Sequence, residues 1–215
     1  MPRRRTLRAI AAVAVGVLAA SGLGCGTDSD KDKDRGIIDS VLSDDGANSA
    51  TATLDKRIAA ALATTRASPS EPAAWAQLAR LRYQRAGIDG ITDTGAFTPG
   101  GKAKLRLAAQ AWERYVSLDP KHLDVRVARL MVQAYASSGL NEPVEAVRTM
   151  EIVTAAETPP STSLYQQLAQ LAYVAGETRT GDLAADRAVE LAPRRDRKRL
   201  RAALDALAKQ AAAQP

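Results

Sequence analysis

A chain of 215 residues has room for one folded domain of about 150 residues plus tails. It is 46% apolar, only 4% aromatic, and carries a formal charge of +6. That charge is concentrated at the start. Arg3, Arg4, Arg5 and Arg8 precede every acid, and removing residues 1–25 leaves 26 basic residues against 24 acidic ones, too even a balance to suggest a nucleic-acid binder. The single cysteine, Cys25, excludes an internal disulfide. Alanine- and leucine-containing segments dominate and strand-like runs of Val, Ile and Thr are scarce, so the expected class is all-α.

Residues 1–25 read as a targeting segment. A basic MPRRRTLR precedes the uncharged stretch Ala9–Ala20. At the helical rise that stretch spans roughly 18 Å, short of the ~30 Å hydrocarbon core, which favours a signal peptide over a spanning helix. An uncleaved anchor is the other reading. Residues 26–52 begin with the charged GTDSDKDKDRG and are expected to be a flexible tether.

The helical domain is expected over 53–210. Leu54, Ile58, Ala61 and Leu62 recur at helical spacing from Thr53. Ser70 is the expected N-cap of a helix over 72–86 carrying Trp75, Leu78, Ala79, Leu81 and Tyr83, ended by Gly87. The polar insertion 88–101 follows. Ile91 or Phe97 is expected to pin it, and Thr98-Pro99 to open the next helix, with Ala108, Trp112, Tyr115 and Pro120. Met131, Val132, Tyr135 and Gly139 mark another helix. Ala146, Val147, Met150 and Val153 mark its partner, which starts at Asn141-Glu142-Pro143 and stops at Pro159-Pro160. From Tyr165 to Pro193 lies a helical hairpin: Tyr165, Leu168 and Ala169 on one helix, Gly176 at its end, and Leu183, Ala185, Ala188, Val189 and Leu191 on the next. Leu200, Ala203, Leu204 and Leu207 form the stripe of a closing helix.

These units recur. Pro159 to Pro193 is 34 residues, and Pro69 to Pro120 is 51, an excess of 17 that is close to the 14 residues of the insertion. Trp75-x2-Leu78-Ala79, then Ala108-x3-Trp112 and Pro120, resemble the tetratricopeptide pattern, whose period is about 34 residues. The resemblance covers residues 72–193 as three repeats, with Leu54–Arg66 as a leading half-repeat. It implies a right-handed superhelical α-solenoid of about three helical hairpins with leading and C-terminal capping helices. Gly24-Cys25 after the apolar stretch resembles a bacterial lipoprotein lipobox, although Gly22 stands where that motif usually has Leu. Cys25 is either lipidated or unmodified. The whole arrangement is similar to membrane-tethered tetratricopeptide proteins of bacteria, which implies the extracytoplasmic face of the cell membrane; secretion is the second expectation.

Chemistry-bearing motifs are sparse. His122 is the only histidine and falls in an expected turn. Gly100-Gly101-Lys102 lacks the spaced glycine of a phosphate loop, since Ala96 stands there and Ala103 replaces Ser/Thr. Asp89 and Asp93 lack the alternating acids of a calcium loop. No catalytic residue, metal or cofactor is expected. The basic cluster 194–201 suits a helix end, an anionic lipid surface or an acidic partner. The family resemblance places the first helix of each pair along an inner groove. Counting from Trp75, Ala128 and Tyr165, the groove residues are Ala76, Arg80 and Tyr83, then Arg129, Gln133 and Ala136, then Gln166, Gln170 and Tyr173, with Arg126 beside them. The expected partner is a protein or peptide held there without catalysis. A structural subunit using convex or end surfaces is the alternative.

Overall fold

The computed structural model describes residues 44–88 and 90–213, with side-chain surroundings from residue 49. All of these belong to one compact unit. Cys25, the 1–25 segment, residues 26–43 of the expected tether and Asp89 lie outside the described residues.

Among the described residues eight helices follow in order: α1 Asp44–Ala67, α2 Pro72–Ile88, α3 Pro99–Ser117, α4 Val125–Tyr135, α5 Pro143–Ala156, α6 Thr162–Val174, α7 Thr178–Leu191 and α8 Arg197–Ala212. The described residues form no strand, only an isolated bridge between Ile91 and Phe97 inside the insertion. The expected all-α class holds. Each helix packs on its neighbours in sequence, and α2 also packs on α4 and α6 on α8. Between α4 and α6 there is no comparable backbone approach, and each packs on α5.

Side-chain caps mark four of the helix starts, α2, α3, α4 and α6. Thr98 Oγ1 accepts from Gly101 N at the start of α3, with Pro99 in the first turn. Asp124 Oδ1 accepts from Arg126 N and Val127 N at the start of α4. Ser161 Oγ accepts from Leu164 N at the start of α6. At α2 the acceptor is Glu71 Oε1, bonded to Ala73 N at 3.3 Å, and not the expected Ser70. Gly176, with φ +76°, closes α6, and Glu177 N reaches back to Ala172 O at 2.9 Å in a Schellman-type turn.

Several expectations shift. Helix α1 starts nine residues before Thr53, so the helical unit takes in residues 44–52 of the expected tether. Asp, Gly, Asn and Ser suit a first helical turn as well as a loop, and composition does not separate the two. Helix α4 ends at Tyr135, four residues before Gly139. There the chain doubles back over the last carbonyls of α4, with Leu140 N bonded to Ala134 O at 2.8 Å. A Cβ on Gly139 would lie 2.1 Å from that oxygen. Leu183 is 63% exposed while Ala184 is buried in its place. Ala203 is exposed, and the packed stripe of α8 runs through Leu200, Leu204, Leu207 and Ala208. One residue of drift is enough to move a side chain by about 100° around a helix.

The core is made of small side chains. Alanine is its commonest residue, and the largest fully buried side chains include Tyr135, Leu78, Leu81, Leu105 and Met131. The few aromatics sit at joints. Trp75 Nε1 donates to Pro69 O at 3.0 Å and fixes the α1–α2 turn. The Tyr115 hydroxyl accepts from Asp124 N at 2.7 Å and donates to His122 O at 3.3 Å, fixing the α3–α4 connection. Phe97, not Ile91, pins the insertion: its ring meets Tyr83 edge-on at 6.3 Å, its N–H donates to Ser138 O at 2.9 Å, and Ile91 is 52% exposed. Gly90 and Gly101 allow the insertion to cross the start of α3, where a Cβ on Gly90 would lie 2.5 Å from Gly101 Cα.

Gly181 sets the α6–α7 spacing in the same manner. A Cβ there would lie 2.5 Å from the Tyr173 ring. Gly181→Ala is therefore expected to push Tyr173 out of its place and cost about 1–3 kcal/mol, despite the gain in helix propensity. Urea denaturation of the variant beside the parent checks this. A neutral or stabilising result would contradict the close approach.

Candidate functional site: the first-helix face

Helices α2, α4 and α6 each carry a polar exposed stripe at spacings of three and four residues. It is Gln77, Arg80 and Gln84 on α2, Arg126, Arg129 and Gln133 on α4, and Gln167 and Gln170 on α6, where the apolar Val174, 68% exposed, takes the third place. Arg80, Arg126, Arg129, Gln133 and Gln170 were expected from the sequence; Gln77, Gln84 and Gln167 were not. Their signal was present as the i, i+3, i+7 recurrence of long polar residues on the face opposite Leu78, Met131 and Leu168. Gln166 is half-buried beside this stripe.

Two bonds tie the stripes. The Tyr83 hydroxyl donates to Gln133 Oε1 at 2.9 Å, joining α2 to α4. Arg129 Nη2 pairs with Glu157 Oε2 at 3.0 Å, joining α4 to the connection before α6. Exposed as it is, the Arg129 pair contributes no more than about 1 kcal/mol. It does hold the guanidinium in one place. Arg80 and Arg126 have no side-chain hydrogen bond or ion pair among the described residues.

Two expected groove residues are instead part of the framework. Ala76 is buried. Tyr173 is also buried, stacked over Gly181, and its hydroxyl donates to Asp182 Oδ1 at 2.9 Å. The count of eight steps from Tyr165 lands on the α7 side of α6, so Tyr173 offers little to a ligand. Ala136 caps α4 and is half-buried.

The N-terminal half of α2 and the α3–α4 connection enclose an open cleft of about 790 Å³. Its walls include Gln77 and Arg80 on one side and Lys121 and His122 on the other, with Glu71 and Asp119 at the margin. Thus Arg80 and His122, 42 positions apart in sequence, share one cleft. The His122 imidazole has no hydrogen-bond partner among the described residues, so neither a carboxylate nor a hydroxyl is aligned with it. Arg126, Arg129, Gln133, Gln166 and Gln170 do not line this cleft. A second opening of about 540 Å³ lies between α1 and the end of α2, beside Leu54, Arg57 and Ile88. Among the described residues, no group of three His, Cys, Asp or Glu side chains has the arrangement of a metal site.

Comparison with protein-family models, with curated proteins and with solved structures finds no match. The long polar and guanidinium donors of the first-helix face suit hydrogen bonding to the carbonyls and carboxylates of a polypeptide. The mixed signs in the cleft give it no strong preference for one charge.

Burial also governs the tyrosines that frame this face. Burial first, then the hydrogen bond to Asp182 and the charges of Asp182 and Asp205, pushes Tyr173 up to about 12; Arg201 opposes. Burial and the nearby Glu113, Glu145 and Glu142 push Tyr135 up further. An unfolded tyrosine ionises near pH 10. The neutral folded form therefore contributes stability that is complete below about pH 10 and is lost as pH rises toward 12. Denaturation midpoints measured across pH 9–12 are expected to fall, and Tyr173→Phe to fall less steeply. Equal slopes for parent and variant would count against the buried, bonded hydroxyl.

Proposed function

We propose that this chain is a membrane-tethered scaffold of the tetratricopeptide type on the extracytoplasmic face, and that it binds an extended polypeptide along the first-helix face without catalysis. One observation carries the proposal: long Arg and Gln side chains occupy the exposed stripe on three successive first helices. Arg80 and Arg126 there have no ion partner among the described residues. Supporting the solenoid reading are the α2–α4 and α6–α8 packings and the in-sequence stacking of every helix. The tether and address come from residues 1–25, through Cys25 lipidation or an uncleaved anchor. Among the described residues no helix is long and apolar enough to cross a membrane.

A second reading makes the chain a structural subunit that uses its outer surfaces. Leu183, a large apolar residue 63% exposed on a second helix of a pair, favours it.

The two readings part on mutation. With a photo-crosslinker at Gln167 in the native envelope, combining Arg80→Ala, Arg129→Ala and Gln170→Ala is expected to reduce capture of the partner at least about tenfold, as the loss of two or three polar contacts at ~1 kcal/mol each implies. Capture that survives this variant but is lost on Leu183→Glu selects the structural-subunit reading. Intact-mass measurement of membrane-extracted protein tests the tether: loss of residues 1–24 with an added lipid mass is expected for lipidated Cys25.

A further inference from the structure

Residues 194–201, between α7 and the second turn of α8, hold six basic side chains and one acid, Asp196. The fold uses two of the six. Arg197 turns back, donating from Nε to Ala192 O at 2.9 Å and from Nη2 to Glu190 O at 2.8 Å. There a cation meets the negative end of α7. Arg201 pairs with Asp186 at 2.6 Å.

The other four cations have little internal use. Arg195 meets only its neighbour Asp196, at 3.5 Å, with its side chain 87% exposed. Arg194, Lys198 and Arg199 are exposed and have no side-chain hydrogen bond or ion pair among the described residues. The acids that could serve them are engaged, Asp186 with Arg201 and Glu190 with Arg187. Their position also works against the helix. The first turn of α8 has no acidic residue, so Lys198 and Arg199 stand at the positive end of its dipole. Folding stability does not account for that arrangement. The apolar stripe of α8 through Leu200, Leu204 and Leu207 packs against the core, leaving the cations facing water.

The chemistry selects a diffuse anionic surface. No aromatic residue follows Tyr173, so nucleic-acid bases would find no ring to stack on. No exposed large apolar residue lies within the cluster to anchor a protein hot spot. Clustered Arg and Lys without either feature match anionic lipid headgroups. This step rests on the tethering reading above. Eighteen residues separate Cys25 from Asp44, so a chain held at Cys25 keeps the start of the helical unit within at most about 70 Å of the bilayer.

We propose that Arg194, Arg195, Lys198 and Arg199 form a docking surface for an anionic lipid bilayer, which holds the C-terminal end of the helical unit against the membrane that carries its tether. The cluster orients the first-helix face relative to the bilayer and binds no specific headgroup. Its hold weakens with salt, because the contacts are solvent-exposed charges.

The test uses the full chain bound to phosphatidylcholine vesicles or to vesicles that also contain phosphatidylglycerol. Amine labelling of Lys198 is followed by mass spectrometry, with exposed Lys56 on α1 as internal reference. Lys198 is expected to label at least about threefold more slowly than Lys56-normalised controls on the anionic vesicles at low salt, and to recover at high salt. Combining Arg194→Gln, Arg195→Gln and Arg199→Gln is expected to abolish the protection without lowering the thermal melt, since Arg199 stands at the unfavourable end of the α8 dipole. Equal Lys198 labelling on both vesicle types overturns the proposal, as does protection that persists in the variant. Failure of the chain to co-float with neutral vesicles removes the tether reading instead. In that event co-flotation with anionic vesicles alone reads the cluster: loss in the variant supports it, and no difference from the parent overturns it.

Discussion

The constraint on which this molecule depends is the smallness of its buried side chains. Alanine lines most helix seams, as at Ala79, Ala108, Ala128, Ala146, Ala169 and Ala188. Each buried methyl contributes about 0.8 kcal/mol, against roughly 2 for a leucine side chain. A single hairpin of this kind cannot offset the entropy of ordering its backbone. Close approach is what makes the seams worthwhile, because small residues let helix backbones come together and so bring many weak contacts into range. Stability then has to be gathered along the row, each helix covering its neighbours, and the described helices do pack in that continuous order.

Such seams are smooth, and smooth seams slide. The scarce large and polar groups supply the register. Trp75 holds the α1–α2 turn, Tyr83 the α2–α4 contact and Tyr173 the α6–α7 pair, each through one hydroxyl or indole bond, and Tyr115 holds the α3–α4 connection through two. Glycines are the counterpart. Gly181 receives the Tyr173 ring and Gly101 receives the backbone of the insertion, so a missing Cβ fixes the helix spacing as firmly as a large side chain would. Among the described residues no buried side-chain polar atom lacks a partner, consistent with a framework in which the few polar groups inside are there to bond.

The sequence shows this framework well at the level of helices, because the apolar period and the Pro, Gly and Thr boundary signals act locally. Pro99, Pro143 and Gly176 all mark the ends they suggest. It shows less where the outcome depends on distant residues. Nothing local to Leu183 tells that Ala184 will take the buried place; the fit of Tyr173 against Gly181 decides the rotation of α7. Nothing near Gly139 tells that the helix has ended at Tyr135, since the turn is set by backbone bonds to carbonyls already passed. The functional face divides in the same way. Arg80, Arg126, Arg129 and Gln170 follow from the groove positions that the tetratricopeptide resemblance implies and are exposed. Tyr173 follows from the same count yet is buried, because α6 must cover α7 as well as face outward. The cleft that brings Arg80 to His122 was not visible, as it depends on how Tyr115 folds the 118–124 connection across α2.

The insertion is the place where the row departs most from regularity, and it does not hang free. Thr98 N bonds Gly90 O, Phe97 N bonds Ser138 O, and the Phe97 ring meets Tyr83. Tyr83 in turn bonds Gln133 on the exposed stripe of α4. The extra segment therefore braces α2 against the α4–α5 turn from the end of the first pair. No comparable brace joins α4 to α6, which each pack on α5 and are linked at the surface by Arg129 and Glu157. An exposed ion pair of this sort is worth at most about 1 kcal/mol and weakens with salt. The joint between α4 and α6 thus lacks the close backbone packing that joins α2 to α4 and α6 to α8. A polypeptide laid along the face would cross that joint, contacting Arg126 and Arg129 on one side and Gln167 and Gln170 on the other. Among the described residues no aromatic hydrogen bond spans that joint, the nearest being Tyr83 to Gln133 and Tyr173 to Asp182.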